Sequence, residues 1–266
     1  MLKVLAAGAT DIGSRRRYNE DAIDWWVADD KSSALAVLAD GMGGYEGGEV
    51  ASRLAVEACL AVLGQLKGVN DHSPAVIEAA LTDAIAHANR RIRDARRLDA
   101  ERSRMGTTLV VVWIQGELAY IAHVGDSRCY RLSGERVEQL TRDDTVVQKM
   151  LDDGSIRSED VSQVPFRNIL TKAVGAEPTV TPTLLRLPVA AGERLLLCSD
   201  GLPGALSPTE WHGVTGGKAS LATQVRNLIA ASLAQEANDN VSVILLGFDS
   251  SGAQSPPHQT SENSER

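Results

Sequence analysis

The chain has 266 residues, of which 43% are hydrophobic, so it can bury a sizeable core and is not expected to be generally disordered. Its formal net charge of -8 argues against a nucleic-acid binder or a protein held on anionic membranes, because both usually need a basic face. No apolar stretch approaches the length of a membrane span.

The hydrophobic pattern predicts one compact domain of strands and helices. In chain order we predict strands at 4–9, 22–27 and 33–39, helices at 48–66 and 74–98, strands at 107–114, 118–124, 127–132, 136–140, 184–188 and 194–199, a helix at 219–233 and a strand at 241–248. Turn signals at Gln115-Gly116 and Ser133-Gly134 predict hairpins, and runs such as 109–112 are apolar on consecutive positions, which is typical of strands buried on both faces. This order favours an α+β fold with two mostly antiparallel sheets flanked by helix pairs.

The polar end of the chain predicts where the domain ends. Residues 250–266 are polar and lack apolar periodicity, which predicts a disordered tail after a domain spanning 1–249.

The three cysteines, Cys59, Cys129 and Cys198, are scattered along the chain. An odd, scattered set is typical of reduced, buried thiols, so we expect a cytoplasmic protein.

Acidic residues recur where the predicted strands begin or end. They are Asp21, Asp40, Asp126, Asp200 and Asp239. Carboxylates at the ends of buried strands repel one another and lose hydration, so several can converge only if cations compensate them. A set of oxygen ligands without histidine or cysteine at ligand spacing favours Mg²⁺ or Mn²⁺ over Zn²⁺. The alternative for any one Asp-Gly pair is an ordinary turn, and composition alone does not decide between the two.

Six motifs in a fixed order carry a resemblance to a known family. Residues 10–21 look like the opening motif of the type 2C metal-dependent protein phosphatases, and residues 40–44 are similar to their second motif in its bacterial form. The pattern continues with Met105-Gly106-Thr107-Thr108, Val124-Gly125-Asp126-Ser127-Arg128, Ser199-Asp200-Gly201-Leu202 and Asp239-Asn240-Val241-Ser242. The resemblance covers about residues 4 to 248. It implies a four-layer α-β-β-α sandwich and the hydrolysis of phosphoserine or phosphothreonine on proteins.

The resemblance also implies a set of metal ligands. Asp40 would bridge two Mn²⁺ or Mg²⁺ ions, and the Gly41 carbonyl oxygen would bind one of them. Asp200 and Asp239 would complete the protein ligands of the other ion, and Asp21 would act near the second. Two such ions generate hydroxide near neutral pH from a bridging water, so no phospho-enzyme is needed.

Other matching residues would surround the ions. Glu20 and Asn240 would support the ligands, and Asp126 together with Asp200 matches the position of a third metal in bacterial members. Arg16 matches the arginine that grips the substrate phosphate, and a guanidinium suits this role because it can bind two phosphate oxygens at once.

Several positions depart from the family pattern. Met42 stands where members outside bacteria often carry a histidine that is a candidate general acid, and Tyr45 stands where many bacterial members carry one. Asp144 replaces the histidine of a common Asp-His pair. The general acid therefore stays unassigned. His123 lies inside an apolar strand, where we expect a hydrogen-bonded structural histidine rather than a catalyst.

Two further segments have both a structural and a functional interpretation. Seven arginines cluster around the end of the second helix, namely Arg90, Arg91, Arg93, Arg96, Arg97, Arg102 and Arg104. They form either a solvated face that favours the helix C-terminus or a docking site for an acidic or phosphorylated partner. Residues 146–179 match the family's variable flap, which is either a surface excursion or a segment that selects substrates.

The expected partners follow from the resemblance. They are phosphorylated proteins and a cognate serine/threonine kinase, with control of type VI secretion as a candidate setting, and we expect a monomer that binds no nucleic acid. The alternative is a non-catalytic phosphoprotein-binding or regulatory domain on the same fold. Retention of Asp40, Asp200, Asp239 and Arg16 argues for the enzyme, because a scaffold would not need that set.

Overall fold

The protein is described by a computed structural model that covers residues 2–43, 47–69, 71–165, 168–215 and 219–250. The strands are β1 (Leu2–Asp11), β2 (Asp21–Val27), β3 (Ser33–Met42), β4 (Gly106–Thr107), β5 (Leu109–Gln115), β6 (Leu118–Val124), β7 (Arg128–Ser133), β8 (Arg136–Gln139), β9 (Thr183–Pro188), β10 (Arg194–Cys198) and β11 (Val241–Ser250). The α-helices are α1 (Gly47–Leu63), α2 (Pro74–Leu98), α3 (Val146–Asp152), α4 (Gly201–Ala205), α5 (Pro208–Thr215) and α6 (Leu221–Ala234). Short 3-10 helices occur at Gly64–Leu66, Ala100–Arg102 and Ser158–Gln163.

The strands form two sheets. One has the order β1-β11-β10-β7-β8, and the other has the order β2-β3-β5-β6-β9 with β4 paired to β3. The pairings between these strands are antiparallel. The first and last strands of the chain, β1 and β11, lie side by side with Leu2 opposite Ser250. The predicted α+β fold with two mostly antiparallel sheets is confirmed.

Three hydrophobic cores separate four layers. Because side chains alternate across a strand, β3 divides its apolar residues between two of these cores. Leu35 and Val37 pack in the core that contains α1 and α2, whereas Ala36 and Leu38 pack between the two sheets. The third core lies between the first sheet and α4, α5 and α6, with buried Trp211 of α5 among its members. The layers are therefore α-β-β-α, as predicted.

The strand and long-helix positions predicted from periodicity agree with the structure, with small shifts at the ends. The predicted helix at 48–66 is an α-helix to Leu63 and a 3-10 turn beyond it. Helices α3, α4 and α5 were not predicted, because five to eight residues are too few to show a 3.6-residue period. The three cysteines are buried and free, as expected.

The last described residue of the chain is Ser250. This residue still belongs to β11, and residues 251–266 lie outside the described part of the chain, so the disordered tail stays a prediction. Among the described helices, none is both long enough and apolar enough to cross a membrane.

Candidate metal centre

The strand ends that carry the predicted acidic residues meet at one edge of the sandwich. They surround an open cleft of about 670 Å³. Its lining includes Arg16, Glu20, Asp40, Gly41, Asp126, Asp200 and Asp239. Asp21 and Asn240 are buried next to this lining, beside Asp40 and Asp239 respectively. The fold thus brings together carboxylates that are far apart in the sequence.

Asp21 and Asp40 face each other across two neighbouring strands. Asp21 is the first residue of β2 and is paired with Asp40 of β3. Asp40 therefore lies inside a strand, because β3 continues to Met42 instead of ending at residue 39 as the sequence suggested. The backbone of Asp40 is fixed on both sides, since its N–H donates to Thr108 Oγ1 at 3.0 Å and its carbonyl oxygen accepts from Thr107 Oγ1 at 2.8 Å. The motif had assigned no role to these threonines.

Asp21 has one satisfied carboxylate oxygen and one orphan. Ser199 Oγ donates to Asp21 Oδ2 at 2.8 Å, whereas Asp21 Oδ1 is buried and has no hydrogen-bond partner among the described residues. Burial raises the pKa of Asp21 to about 7. The nearby hydroxyls of Ser242 and Ser199 oppose this shift, and the carboxylates of Asp200 and Asp239 add to it. A buried, unpartnered carboxylate oxygen is costly unless a cation is close by.

The other carboxylates of the cleft repel one another as well. Burial raises the pKa of Asp40 well above its ordinary value, and Asp21, Asp200 and Asp126 raise it further. Burial also raises the pKa of Asp126 to about 7 with a further contribution from Asp200, and it raises the pKa of Asp200, where Asp239 adds to the effect. Carboxylates that repel one another in this way are typical of sites that bind divalent cations.

The donors of the cleft fit hard divalent ions. They are carboxylate oxygens and a backbone carbonyl, which are the ligands that Mg²⁺ and Mn²⁺ prefer. The ligand set is not closed, however. Within the part of the chain that the structure describes, no three His, Cys, Asp or Glu side chains are already arranged to hold one ion. The orphan oxygen of Asp21 and the shared burial of the acids support a metal site, and ion binding requires the side chains to draw together.

Arg16 binds one of the predicted metal ligands and so contributes to the separation of these side chains. Its Nη2 donates to Asp239 Oδ2 at 2.6 Å, and its Nη1 lies 3.7 Å from Glu20 Oε2. The predicted phosphate-binding arginine and a predicted metal ligand therefore bind each other. The physical reason is that Asp239, which lies among repelling carboxylates, has the half-exposed guanidinium of Arg16 within reach as a counter-charge.

Asn240 ties together the loop that carries Arg16. Its Oδ1 accepts from the Glu20 N–H at 2.8 Å, and its Nδ2 donates to the carbonyl oxygens of Ile12 and Tyr18 at 2.9 and 3.0 Å. One buried amide thus spans both ends of the loop between β1 and β2. Asn240 therefore holds this loop, and its support of the metal ligands stays a prediction.

Gly41 lies where the backbone of three segments meets. A Cβ at this position would be 2.0 Å from the Gly48 carbonyl oxygen and 2.6 Å from that of Glu20. The Gly41 N–H donates to the Glu20 carbonyl oxygen at 3.0 Å. Since no side chain fits, only glycine allows α1 to begin against β3 and keeps this part of the cleft open to the backbone.

The predicted flap borders the cleft. Residues 168–173 line it, and bridges at Thr145–Leu170 and Thr107–Val174 attach the flap to the sheet side. Asp144 reinforces the attachment, because its carboxylate accepts from the Gly125 N–H at 3.1 Å and pairs with Lys172 Nζ at 2.9 Å. The residue that replaces the family's histidine therefore links the flap to the loop of Asp126. Phe166 and Arg167 lie outside the described residues.

Three positions bear on the search for a general acid. His123 is buried, and its Nε2–H donates to the Arg142 carbonyl oxygen at 2.7 Å, so the expectation of a structural histidine is confirmed. Met42 lines the cleft, and Tyr45 lies outside the described residues. The general acid stays unassigned.

Comparisons with known proteins agree with this geometry. The sequence model of the family described as Protein phosphatase 2C matches residues 12–241. The serine/threonine phosphatase stp of Listeria welshimeri is 33% identical over 238 residues, which cover 89% of this chain and 93% of that protein. The crystal structure of the catalytic domain of the phosphatase PstP in complex with two manganese ions has a TM-score of 0.80 and 32% identity, over 94% of this chain and 100% of the other. PppA, a key regulatory component of T6SS in Pseudomonas aeruginosa, has a TM-score of 0.77 and 30% identity over 92% and 98% of the two chains.

Proposed function

The chain belongs to the protein phosphatase 2C family and is a serine/threonine protein phosphatase, and from this premise we propose that it hydrolyses phosphoserine and phosphothreonine in the cleft between Arg16 and the five aspartates. The observation that carries the proposal is the convergence of Asp40, Asp126, Asp200 and Asp239 on one cleft. Divalent metal dependence accompanies the family and suits these donors.

The proposed roles follow the positions of the side chains. Asp40, which is central in the repelling set, would bridge two ions with the help of the Gly41 carbonyl oxygen. Asp200 and Asp239 would hold one of these ions, and Asp21 would act near the other with its orphan oxygen. When bound, Mn²⁺ or Mg²⁺ supplies an activated water for attack on phosphorus and offsets charge on the phosphoryl oxygens.

Asp126 is the proposed ligand of a third ion. Its carboxylate lines the cleft beside that of Asp200, and burial, followed by the charge of Asp200, raises the pKa of Asp126. Arg128, two residues further on, binds Asp143 through Nε and Nη2 and is thus held away from a free role. The Asp126 carboxylate is therefore not paired with Arg128 and is available to a cation.

Arg16 is the proposed phosphate binder. A metal ion at Asp239 would replace the guanidinium as counter-charge, and Arg16 would then be free to donate to two phosphoryl oxygens. Glu20 would steady it, because its carboxylate lies 3.7 Å from the guanidinium and against the start of α1 at Gly48.

The test of the proposal compares Asp200→Asn with Asp249→Asn. Wild-type protein should release phosphate from p-nitrophenyl phosphate and from a phosphothreonine peptide with Mn²⁺, and not with EDTA. Asp200→Asn should lose most of this activity. It should also weaken Mn²⁺ binding by at least roughly 10- to 100-fold, because replacing a residue that only supports a metal ligand already costs that much. Asp249 is an exposed residue near the far end of β11, so its variant controls for the loss of one carboxylate.

Two outcomes would contradict the assignment. Wild-type turnover by Asp200→Asn would remove the proposed role of Asp200. Folded protein that binds phosphopeptides but releases no phosphate with Mn²⁺ would favour the non-catalytic binding domain, which the enzymatic names of the relatives oppose.

We propose further that the phosphatase reverses the action of a bacterial serine/threonine kinase in the cytoplasm, as a monomer whose catalytic domain spans 1–249. The three free, buried cysteines support a reducing compartment. Type VI secretion control is a candidate setting because PppA is among the similar structures. Phosphoproteomics of a deletion strain would identify the substrates, and an unchanged phosphoproteome would contradict the kinase-opposing role.

A further inference from the structure

An arginine-lined cavity of about 280 Å³ lies next to the metal cleft. We call it the arginine pocket, and its lining is Arg93, Arg96, Arg97, Ser103 and Ala176. Ala176 also lines the metal cleft. Ala176 of the flap therefore borders both cavities.

The wall between the two cavities is firmly held against α2. Arg96 donates from Nε to the Ser103 carbonyl oxygen at 2.8 Å and from Nη1 to the Gly175 carbonyl oxygen. Asn89, two turns earlier on the same helix, accepts from the Gly175 N–H at 2.6 Å and donates to the Glu177 carbonyl oxygen at 3.0 Å. The position of the arginine pocket relative to the cleft is thus set by the packing of the flap end on α2.

The positive charge of the arginine pocket is poorly neutralised. Within the described ranges, neither Arg93 nor Arg96 has a carboxylate at ion-pair distance, and Arg96 donates to uncharged carbonyl oxygens. Arg97 pairs with Asp94 at 3.2 Å, but both side chains are about 70% exposed, so water screens this pair strongly. Favourable charge at the C-terminus of α2 explains Arg96 and Arg97, whereas Arg93 lies one turn earlier and still lines the cavity.

The positive charge of the arginine pocket contrasts with the acidic surroundings. The chain carries a net charge of -8, and the adjoining cleft is lined by carboxylates. A cluster of guanidinium groups beside such a cleft attracts and orients an anionic partner that the cleft itself repels. Guanidinium groups bind carboxylate and phosphate oxygens in preference to neutral groups.

We propose that the arginine pocket binds an acidic side chain, either a carboxylate or a second phosphate, that flanks the phosphorylated residue of a protein substrate. The proposal rests on the phosphatase function, because the substrate's phosphorylated residue must occupy the metal cleft at the same time. It makes the arginine pocket a specificity site for phosphoproteins with acidic surroundings.

The experiment measures kcat/KM with Mn²⁺ for phosphothreonine peptides in three forms. One form has neutral flanks, one has a glutamate and one has a second phosphothreonine, each placed at several offsets on either side. Wild type is compared with Arg93→Ala/Arg97→Ala and with the control Arg53→Ala/Arg136→Ala. The control removes two exposed arginines that line neither cavity. Each peptide value is divided by the value for p-nitrophenyl phosphate, which has no flanking acidic group to place in the arginine pocket.

Wild type should prefer an acidic flank by about threefold to tenfold, mainly through KM, because exposed ion pairs are individually weak. The preference should fall towards one in Arg93→Ala/Arg97→Ala, persist in the control, and shrink at 0.5 M NaCl. Whether glutamate or phosphothreonine gains more identifies the preferred anion. Arg93→Lys/Arg97→Lys should keep a preference, since it retains the charges.

Two results would overturn the proposal: no acidic preference in wild type, or an equal preference in Arg93→Ala/Arg97→Ala. Failure of the phosphatase function has a different signature, because wild type would then release no phosphate from p-nitrophenyl phosphate. In that case, fluorescence polarisation of the same peptides with Mn²⁺ reports on the pocket directly, and equal affinities for acidic and neutral peptides would overturn it.

Discussion

Arg16 Nη2 donates to Asp239 Oδ2 at 2.6 Å, and this ion pair joins residues that are 223 positions apart. The carboxylate is a proposed metal ligand, and the guanidinium is the proposed phosphate binder. Binding of an ion at Asp239 and release of Arg16 are therefore linked, because one carboxylate oxygen is shared between the two cations. In the proposed site, the guanidinium of Arg16 would compensate the charge of Asp239 until a metal ion takes its place.

Arg16→Ala should separate these two effects. Loss of charge-assisted hydrogen bonds to the phosphate should raise the KM for p-nitrophenyl phosphate roughly 10- to 100-fold, since such bonds contribute about 1.5–3 kcal/mol. Mn²⁺ should bind the variant as tightly as wild type or more tightly, because Asp239 no longer has a competing cation. Steady-state kinetics and calorimetric Mn²⁺ titration measure the two quantities.

The neighbouring Arg17 provides the control. It is exposed and does not line the cleft, so Arg17→Ala should change neither quantity appreciably. An unchanged KM in Arg16→Ala would remove the phosphate-binding role, and weaker Mn²⁺ binding in that variant would contradict the competition at Asp239.

The raised pKa of Asp126 predicts a pH-dependent stability of the metal-free protein. Burial raises this pKa from its ordinary value of 3.8 to about 7, so between these values the folded state holds a proton that the unfolded state has lost. The stabilisation from this proton is complete below pH 3.8 and is lost as the pH rises towards 7. In EDTA, Asp126 should contribute a loss of about 2 kcal/mol in unfolding free energy from pH 5 to 7.

Urea unfolding of wild type and Asp126→Asn at several pH values tests this sign. The asparagine variant lacks the titrating group, so its metal-free stability should fall less steeply and be higher than that of wild type at pH 7. Asp249→Asn should behave like wild type. A wild-type profile no steeper than that of Asp126→Asn would contradict the assignment of the slope to Asp126.

Much of the fold could be predicted because its signals are local. The helix at 74–98 and the strand at 118–124 match the structure at both ends, since proline at the helix start and apolar runs bounded by turns are visible in the sequence. Helix α4 was missed because its five residues form a turn after Asp200 that depends on packing against β11. Local propensity carries little information at that length.

The site was predictable in composition but not in geometry. The acidic residues were identifiable from their positions at strand ends and from ordered motifs. Neither signal shows that Arg16 binds Asp239, that Ser199 supports Asp21, or that Asp144 holds Lys172. These contacts join segments that meet only after both sheets have packed, so they depend on tertiary structure.

The ion pair between Asp144 and Lys172 should stabilise the flap. Asp144→Asn keeps an oxygen that can accept from Gly125 but loses the charge that attracts Lys172, which lies 2.9 Å away. Faster amide exchange is expected at residues 168–174 in this variant and in Lys172→Met. A double-mutant cycle should give a coupling energy of about 0.3–1 kcal/mol, because the lysine is partly exposed. Additive effects of the two substitutions would contradict the pairing.

Gly13→Ala should damage the metal centre through the backbone. Gly13 has a φ of 76°, and a Cβ there would lie 2.0 Å from the carbonyl oxygen of Asp239. Gly192 has a similar φ of 84° but no atom within 4 Å of the added Cβ, so Gly192→Ala measures the conformational cost alone, roughly 1–2 kcal/mol. Gly13→Ala should be destabilised by more than this and should bind Mn²⁺ more weakly, because Asp239 must move. Equal losses in the two variants, measured by urea unfolding and Mn²⁺ titration, would show that the backbone contact does not position Asp239.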